Sequence, residues 1–438
     1  MGRGLNGSPP PYMAQTPNVK GPEGDHRRRT AVAVPRAWLI ALTMLVVFPW
    51  LVLSAWYAWE EDLIGDLIAP VAAPEPVATA DPGPWGRLTV TPIVISPPLE
   101  YVSTDWGPPG PPVWYFPNMT ADQIQGALVG AGLPAGTAAS IRTTAVPESR
   151  INGLAVQPSP AVVAALSPEV RASLYTLLAR TRANYAQLHP FRFEAPTSDG
   201  WFRGSLIAPG TREQVDPLLY RDGAFLFFAD LALLRDRLDR EELRRLMKTL
   251  YRQSTVLASL AVPAEADLEG LAEYWGRGGR RTDLRPLLES VVDARGERAI
   301  DITHLLPAFA RNHLYRYPEI SPADLARPII ANCLWSALNF FSAEPDDRFL
   351  DVPYALERLR EDYHVIQHGL ELGDLIAFVD AEGDLFHIAV YVADDLVFTK
   401  NGTTPMAPWT LMSLASLQGY YRPLVSDPRL IYHRRNDF

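Results

Sequence analysis

Four runs between residues 331 and 402 decide the fold of the C-terminal part of the chain: NCLWSALNFF at 332–341, LGDLIAF at 372–378, HIAVYV at 387–392 and VFTKNG at 397–402. Apolar residues recur at helical spacing in the first run, and Asn332 is a favoured N-cap residue, so a helix is predicted to begin at Cys333. The later runs are rich in β-branched and aromatic residues, with acidic turns between them. They predict an antiparallel meander with strands over 374–379, 385–392 and 396–400.

Cys333 is the only cysteine in the sequence. In the first turn of a helix, unpaired backbone N–H groups and the positive end of the helix dipole favour a thiolate over a thiol. His387 lies near the start of the second predicted strand, and a thiolate facing an imidazole is the arrangement that a Cys–His hydrolase requires. The alternative for both residues is a structural role, because free cysteines are often small core residues and a histidine can pack on an apolar strand.

The helix-borne cysteine, the strand that opens with Gly-Asp and the HIAVYV run together resemble the NlpC/P60 branch of the papain-like cysteine peptidases. The resemblance covers residues 321–438 and implies a papain-like α+β domain with Cys333 as nucleophile and His387 as base. It also implies peptide bonds of bacterial cell-wall peptides as the substrate. The family usually has a third polar residue, His, Asn or Gln, on the following strand, and its usual place falls near Thr399, which departs from that pattern.

The identity of the third residue depends on the register between the last two strands. If a three-residue loop begins at Ala393, Thr399 and Asn401 share a face with His387, whereas a two-residue turn places Lys400 there instead. An Asn side-chain oxygen can accept the second imidazole N–H, but a Lys ammonium would oppose the charge that develops on an imidazolium. Asn401 is therefore favoured, Thr399 is second and Lys400 is last.

The N-terminal part of the sequence predicts a membrane anchor. Residues 1–36 are rich in Gly, Pro and Arg without periodicity, which is typical of a disordered tail. Residues 37–59 contain no charged side chain and are long enough to span a bilayer as a helix. Arginines precede this segment and acidic residues follow it, so the tail is predicted to be cytoplasmic and the domains after it extracytoplasmic. A cleaved signal peptide is the alternative.

Two further regions precede the C-terminal domain. Residues 60–119 are rich in proline and predict an extended linker or stalk. From Thr120 onward, the helix-start patterns at Thr120, Ser167 and Asp239 predict a mostly helical α+β domain over 120–320, for which no chemistry is evident. The predicted fold class is thus α+β, with a transmembrane helix, a stalk, a helical middle domain and a papain-like domain with an antiparallel sheet.

The composition excludes several classes of function. The net charge of −10 gives no support to nucleic-acid binding, for which a basic stripe would be expected. A single cysteine excludes an intramolecular disulfide framework and a cysteine-based zinc site. His364 and His368 are four residues apart, as zinc ligands on one helix can be, but the His-Glu-x-x-His order is missing and solvated or capping histidines are favoured. No metal or cofactor is therefore predicted.

These observations predict a membrane-anchored, extracytoplasmic cysteine hydrolase that cleaves amide bonds, with cell-wall peptides as the substrate class. Two alternatives stay open. One is a catalytically degenerate surface protein that binds the cell wall or a partner enzyme, which the departure at the third position favours. The other is a papain-like amidase or acyltransferase that acts on lipid.

Overall fold

The structure is a computed structural model of the chain that describes residues 77–78, 82–102, 110–294, 298–319, 331–422, 424–425 and 428–438. The chain divides into two units, Met1–Ala69 and Pro70–Phe438, and the described residues all belong to the second unit. The predicted tail, 1–36, and the predicted membrane-spanning segment, 37–59, lie outside the described residues. Within the described part of the chain, no helix is long and apolar enough to cross a bilayer.

The described residues form sixteen strands in four antiparallel sheets. The strands are β1 (Val77–Ala78), β2 (Arg87–Ile95), β3 (Trp114–Pro117), β4 (Val146–Glu148), β5 (Gly153–Val156), β6 (Phe191–Glu194), β7 (Tyr220–Asp222), β8 (Phe225–Phe228), β9 (Gln253–Ala261), β10 (Ala299–Asp301), β11 (Tyr363–Ile366), β12 (Leu375–Val379), β13 (Leu385–Ala393), β14 (Leu396–Lys400), β15 (Trp409–Ser413) and β16 (Arg429–Arg435). Their order is β1-β2-β9-β10, β11-β16-β12-β13-β14-β15, β3-β5-β4 and β6-β8-β7.

Fifteen α-helices accompany these strands in the described residues. They are α1 (Ala121–Gly130), α2 (Ala135–Arg142), α3 (Pro160–Ala164), α4 (Pro168–Leu178), α5 (Tyr185–Leu188), α6 (Ser198–Phe202), α7 (Pro209–Val215), α8 (Leu231–Leu234), α9 (Arg240–Leu250), α10 (Leu268–Trp275), α11 (Arg281–Val292), α12 (Ala308–His313), α13 (Cys333–Leu338), α14 (Val352–Asp362) and α15 (Leu414–Tyr421). Short 3-10 helices lie at Leu99–Tyr101, Ser149–Ile151, Asp216–Leu218, Ile302–His304 and Asp347–Leu350.

The predicted helix starts coincide with side-chain caps. Thr120 accepts a hydrogen bond from the Gln123 N–H, and the Gln123 side chain accepts one from the Thr120 N–H, which completes a capping box at α1. The Ser167 side chain caps α4 by accepting a hydrogen bond from the Val170 N–H, and the Asp239 side chain caps α9 by accepting one from the Glu242 N–H. The mixed α+β class with antiparallel sheets is thereby confirmed.

The region predicted as a stalk contributes three strands to the folded unit, namely β1, β2 and β3. Strand β2 lies within 60–119 and pairs with β9 along its whole length, from Arg87 opposite Ala261 to Ile95 opposite Gln253. Leu88 of β2 is fully buried in the core that also contains residues of α10, α12, α13 and β13. The described residues of this region are therefore integrated into the fold, and the core is continuous across the boundary that was predicted near residue 320.

The six-stranded sheet that carries the site has a helix on each face. Helix α13 packs on the face that contains Ile388, Val390 and Phe398. Helix α15 packs on the opposite face, with Ala389 and Tyr391. Within this sheet β13 and β14 pair with each other only near their connecting turn, from Val390 opposite Phe398 onward. The earlier part of β13 and the last residues of β14 are therefore not paired with each other, and the candidate site lies at this split.

Candidate active site

The helix that carries the cysteine begins where the sequence predicts. The Asn332 side-chain oxygen accepts a hydrogen bond from the Trp335 N–H at 2.8 Å, so Asn332 is the N-cap and Cys333 is the first helical residue. The Ser336 hydroxyl donates to the Asn332 carbonyl at 2.7 Å and accepts from the Trp409 indole at 2.8 Å. These contacts fix the start of α13 against the sheet.

The Cys333 thiol is half-buried and lies against backbone N–H groups. It is within hydrogen-bonding reach of the Ile388 N–H, on the strand residue after His387, and of the N–H groups at the start of α13. Burial raises the pKa of the thiol above its ordinary value, while these N–H groups and the nearby Lys400 ammonium act in the opposite direction. Because burial dominates, Cys333 is a thiol at neutral pH and needs a base to become a nucleophile.

The His387 side chain is buried, and both of its ring nitrogens have partners. Nδ1 lies 2.9 Å from the Tyr421 hydroxyl, and Nε2 lies 2.9 Å from the Thr399 hydroxyl. The Thr399 hydroxyl donates its proton to the Asn401 side-chain oxygen at 3.0 Å, so it can only accept from an Nε2–H group. Nδ1 is then the unprotonated nitrogen and accepts from Tyr421.

This hydrogen-bond chain holds His387 in one neutral tautomer. Burial lowers the pKa of His387 to about 3. Burial also raises the pKa of Tyr421 well above its ordinary value, so the phenol stays protonated and can donate. The ring further packs against Phe378 and Tyr421, with centroids 5.6 Å and 4.4 Å away.

The register question has a structural answer. Strand β13 ends at Ala393 and β14 begins at Leu396, so the turn itself has two residues, with Asp394 in the left-handed region at φ 56°. A bulge between Tyr391 and Ala393 inserts one extra residue into the ladder. The extra residue shifts the alternation of side chains by one position, as a three-residue loop would. Thr399 is therefore on the same face of the sheet as His387. Asn401 reaches the ring only through Thr399.

Lys400 lies on the opposite face, with α13. It is fully buried, donates to the Gly402 carbonyl at 2.8 Å and to the Thr404 carbonyl at 3.3 Å, and lies 5.6 Å from the Trp409 ring centroid. Burial lowers the pKa of Lys400 to about 7, and the nearby Cys333 acts against that shift. From the sequence, Lys400 is a candidate only for a partner of the imidazole, and its position near the thiol is not predicted.

The structure brings some of the predicted site residues together and separates others. His387, Thr399 and Asn401 form one chain, whereas Cys333 approaches the split from the other face. Among the described residues, no hydrogen bond joins the Cys333 thiol to the His387 ring. The reason is strand alternation, because the thiol meets the backbone of Ile388 while the preceding side chain projects away from α13.

Tyr421 is the member of the site that sequence reasoning did not find. It lies at the end of α15, twenty positions beyond Asn401, and nothing in the local pattern distinguishes it from an ordinary core aromatic. Its hydroxyl covers the nitrogen of His387 that would otherwise be free to act as a base.

The two histidines considered as metal ligands do not share a helix. His364 lies on β11, and its Nδ1 is 3.0 Å from the Asn436 side-chain oxygen, while His368 is exposed beyond the strand. Among the described residues, no group of three or more His, Cys, Asp or Glu side chains is placed to hold a metal ion.

Comparison of the chain with protein-family models, with curated proteins and with solved structures gave no match.

Proposed function

We propose that the protein is a membrane-anchored, extracytoplasmic cysteine hydrolase that cleaves amide bonds, with bacterial cell-wall peptides as the substrate class. The NlpC/P60 resemblance of residues 321–438 supplies the substrate class, and the uncharged segment 37–59 supplies the anchor. The observation that supports the chemistry best is the Cys333 thiol at a helix start, beside the strand residue that follows His387. There, N–H groups face the position where negative charge develops.

In the proposed reaction the Cys333 sulfur attacks the amide carbonyl carbon, and the thiol proton passes to a base. The C–S bond forms, the C–N bond breaks, and the base returns the proton to the leaving amine. Water then hydrolyses the thioester and restores the thiol. The Cys333 N–H is the proposed donor to the oxyanion.

His387 is the proposed base, through Nδ1. In the structure this nitrogen accepts from the Tyr421 hydroxyl. The thiol and the imidazole also lie on opposite faces of the sheet. Proton transfer from Cys333 therefore requires a rearrangement at the split between β13 and β14, in which the Tyr421 hydroxyl relays the proton or turns away from Nδ1. The chain through Thr399 to Asn401 would stabilise the imidazolium as it forms, because each member can polarise the next.

Lys400 is a second group that could accept the thiol proton. It lies on the same face of the sheet as Cys333, and its lowered pKa of about 7 leaves part of the amine neutral at neutral pH. Substitution distinguishes the two candidate bases. If His387 is the base, removal of its imidazole abolishes turnover. If Lys400 is the base, removal of its amine abolishes turnover.

The test uses full-length protein in detergent micelles with purified bacterial peptidoglycan as substrate, and mass spectrometry of the released peptides. We expect the wild type to release cleaved stem peptides and Cys333→Ala to be at least a hundredfold slower. His387→Ala is expected to show a comparable loss, with the exposed His368→Ala as its matched control. Equal product release by wild type and Cys333→Ala would refute the proposal.

A non-catalytic binding protein is the second candidate, and one observation favours it. Both nitrogens of His387 are bonded within the fold, as expected of a structural histidine. Alkylation of Cys333 by iodoacetamide over a range of pH separates the two functions. A folded thiol that reacts below the pH expected of an unperturbed cysteine, because a neighbouring base deprotonates it, supports catalysis. One that reacts only near that pH, or not at all until the protein unfolds, supports the binding role.

A further inference from the structure

A cavity of about 450 Å³ lies between the middle part of the chain and the sheet that carries His387. One wall comes from α5, β6, β8 and α9, and the other from the segment after β14 and the end of α15. Two members of the His387 hydrogen-bond chain, Asn401 and Tyr421, line it. The cavity therefore adjoins the site without being part of the Cys333 environment already described.

Arg192 is the only Asp, Glu, Lys or Arg among the described residues that line this cavity. Its side chain belongs to a residue that is 8% exposed. One guanidinium nitrogen, Nη1, donates to the Tyr420 carbonyl, and Nε lies 3.5 Å from the Pro190 carbonyl. The guanidinium also lies 4.6 Å from the Tyr420 ring centroid and 5.9 Å from that of Phe227.

Within the described part of the chain, the charge of Arg192 is not compensated. Among the described residues no carboxylate forms an ion pair with it, and its second terminal nitrogen, Nη2, has no hydrogen-bond partner. The other strongly buried arginine in this part of the chain, Arg171, is paired with Asp230. A mostly buried guanidinium without an ion-pair partner is unfavourable. Nη2 is not among the enclosed atoms that lack a partner, so it is open to a ligand that enters the cavity.

The other residues that line the cavity indicate which kind of ligand fits it. Its walls are mostly apolar or aromatic, with Phe191 and Phe228 among them, and its further polar side chains include His189, Gln253 and Asn401. A guanidinium with a free N–H pair is suited to a carboxylate, and aromatic walls are suited to an apolar body.

We propose that this cavity binds a carboxylate-bearing ligand with an apolar portion, and that Arg192 is the residue that recognises the carboxylate. We further identify this ligand as the carboxylate end of the amide substrate, and this identification rests on the proposed hydrolase function. The binding site itself does not, because it is argued from Arg192 and the cavity alone. Asn401 and Tyr421 then connect ligand binding to the hydrogen bonds of His387.

The test measures binding to full-length Cys333→Ala protein in detergent micelles by isothermal titration calorimetry. The probes are N-acetyl-L-phenylalanine and its neutral amide, which differ only in the carboxylate. We expect the carboxylate to bind at least tenfold more tightly than the amide. Arg192→Gln should abolish this preference, Arg192→Lys should keep part of it, and the exposed Arg180→Gln should leave it unchanged. Circular dichroism checks that each variant is folded.

Equal affinity for the two probes, an unchanged preference in Arg192→Gln, or no binding of either at millimolar concentration would overturn the assignment. The same protein carries no nucleophile, so its binding does not depend on catalysis. If the carboxylate preference is present while the wild type cleaves no peptidoglycan, the cavity stands and the hydrolase proposal fails. If the wild type cleaves peptidoglycan but the carboxylate shows no tighter binding than the amide, the hydrolase proposal stands and the assignment of the cavity fails.

Discussion

At the scale of single residues, the pKa of His387 has a consequence for stability. The folded-state pKa is lowered to about 3, against about 6.5 in an unfolded chain. The unfolded state therefore binds the proton first, so the stability due to His387 is present above pH 6.5 and is lost as the pH falls toward 3. Between pH 6.5 and pH 5 the loss from this group should be about 2 kcal/mol.

Urea unfolding of wild type and His387→Gln at the two pH values checks this expectation. Burial also lowers the pKa values of the partly buried His313 and His433, so the informative quantity is the difference in stability loss between the two proteins. The wild type should lose more stability than the variant on acidification. Parallel losses would mean that the His387 ring is protonated, or exposed to solvent, in the folded protein.

Thr399 and Thr410 form a matched pair for testing the hydrogen-bond chain. They are directly opposite each other on β14 and β15, and both are buried. The Thr399 hydroxyl links His387 to Asn401, whereas the Thr410 hydroxyl has no hydrogen-bond partner. Thr399→Val should cost about 1–3 kcal/mol because it leaves the imidazole N–H unpaired, and Thr410→Val should be neutral or stabilising. Chemical denaturation of both variants measures this; equal effects would contradict the chain.

The sequence predicted three candidates for the partner of His387, namely Thr399, Asn401 and Lys400, but not which of them contacts the ring. The candidates could be named because a strand after His387 was evident. The partner could not be selected, because a single bulge at Tyr391 decides which residues share a face. The run HIAVYV is apolar on both faces, so no alternation of polar and apolar residues reveals the bulge.

At the scale of elements, the sequence predicted those helices and strands that are determined by residues close to them in the chain. The helix start at Cys333 and the strands near 375–379, 385–393 and 396–400 follow from capping and turn residues close in sequence. The separation of Cys333 from the His387 ring does not, because it depends on which face of the sheet each helix covers. Packing of α13 on one face and α15 on the other is a tertiary choice, made by residues far apart in the chain.

Lys400 anchors the segment that follows β14, through the Gly402 and Thr404 carbonyls. Its folded-state pKa is lowered to about 7, so the unfolded chain binds this proton more tightly. Stability due to Lys400 should therefore rise as the pH increases from 7 toward the unfolded value near 10.5. Between pH 7 and pH 9 the gain should be up to about 3 kcal/mol.

The variant Lys400→Met is expected to remove this rise while preserving most of the packing on Trp409. Urea midpoints of both proteins at pH 7, 8 and 9 give the comparison. A wild-type midpoint that stays level over this range would indicate that the ammonium remains charged when buried, held by the two carbonyls and the Trp409 ring.

At the scale of the whole molecule, the sequence predicted the mixed class of fold but divided the chain differently from its core. The high proline content of 60–119 concealed the strand at 87–95, whose partner β9 lies beyond all of the helices from α1 to α9. The boundary near residue 320 was placed by a change in pattern, yet Leu88, Trp275 and Trp335 belong to one cluster. Composition indicates which local structure a segment favours. A hydrophobic core, in contrast, is defined by contacts between residues that are distant in sequence.

The continuous core predicts how the protein tolerates truncation. A chain that begins at Pro70 retains β2, whereas a chain that begins at Ser96 lacks it and exposes β9 along its length. The shorter chain loses the fully buried Leu88, worth about 1.5–3 kcal/mol, and the ladder hydrogen bonds of a nine-residue strand pair. Since domains are stable by only about 5–15 kcal/mol, it should be unfolded or aggregated at 25 °C. Circular dichroism and urea unfolding of both chains test this, and identical cooperative transitions would show that the region before Ser96 acts as the separate stalk its composition predicts.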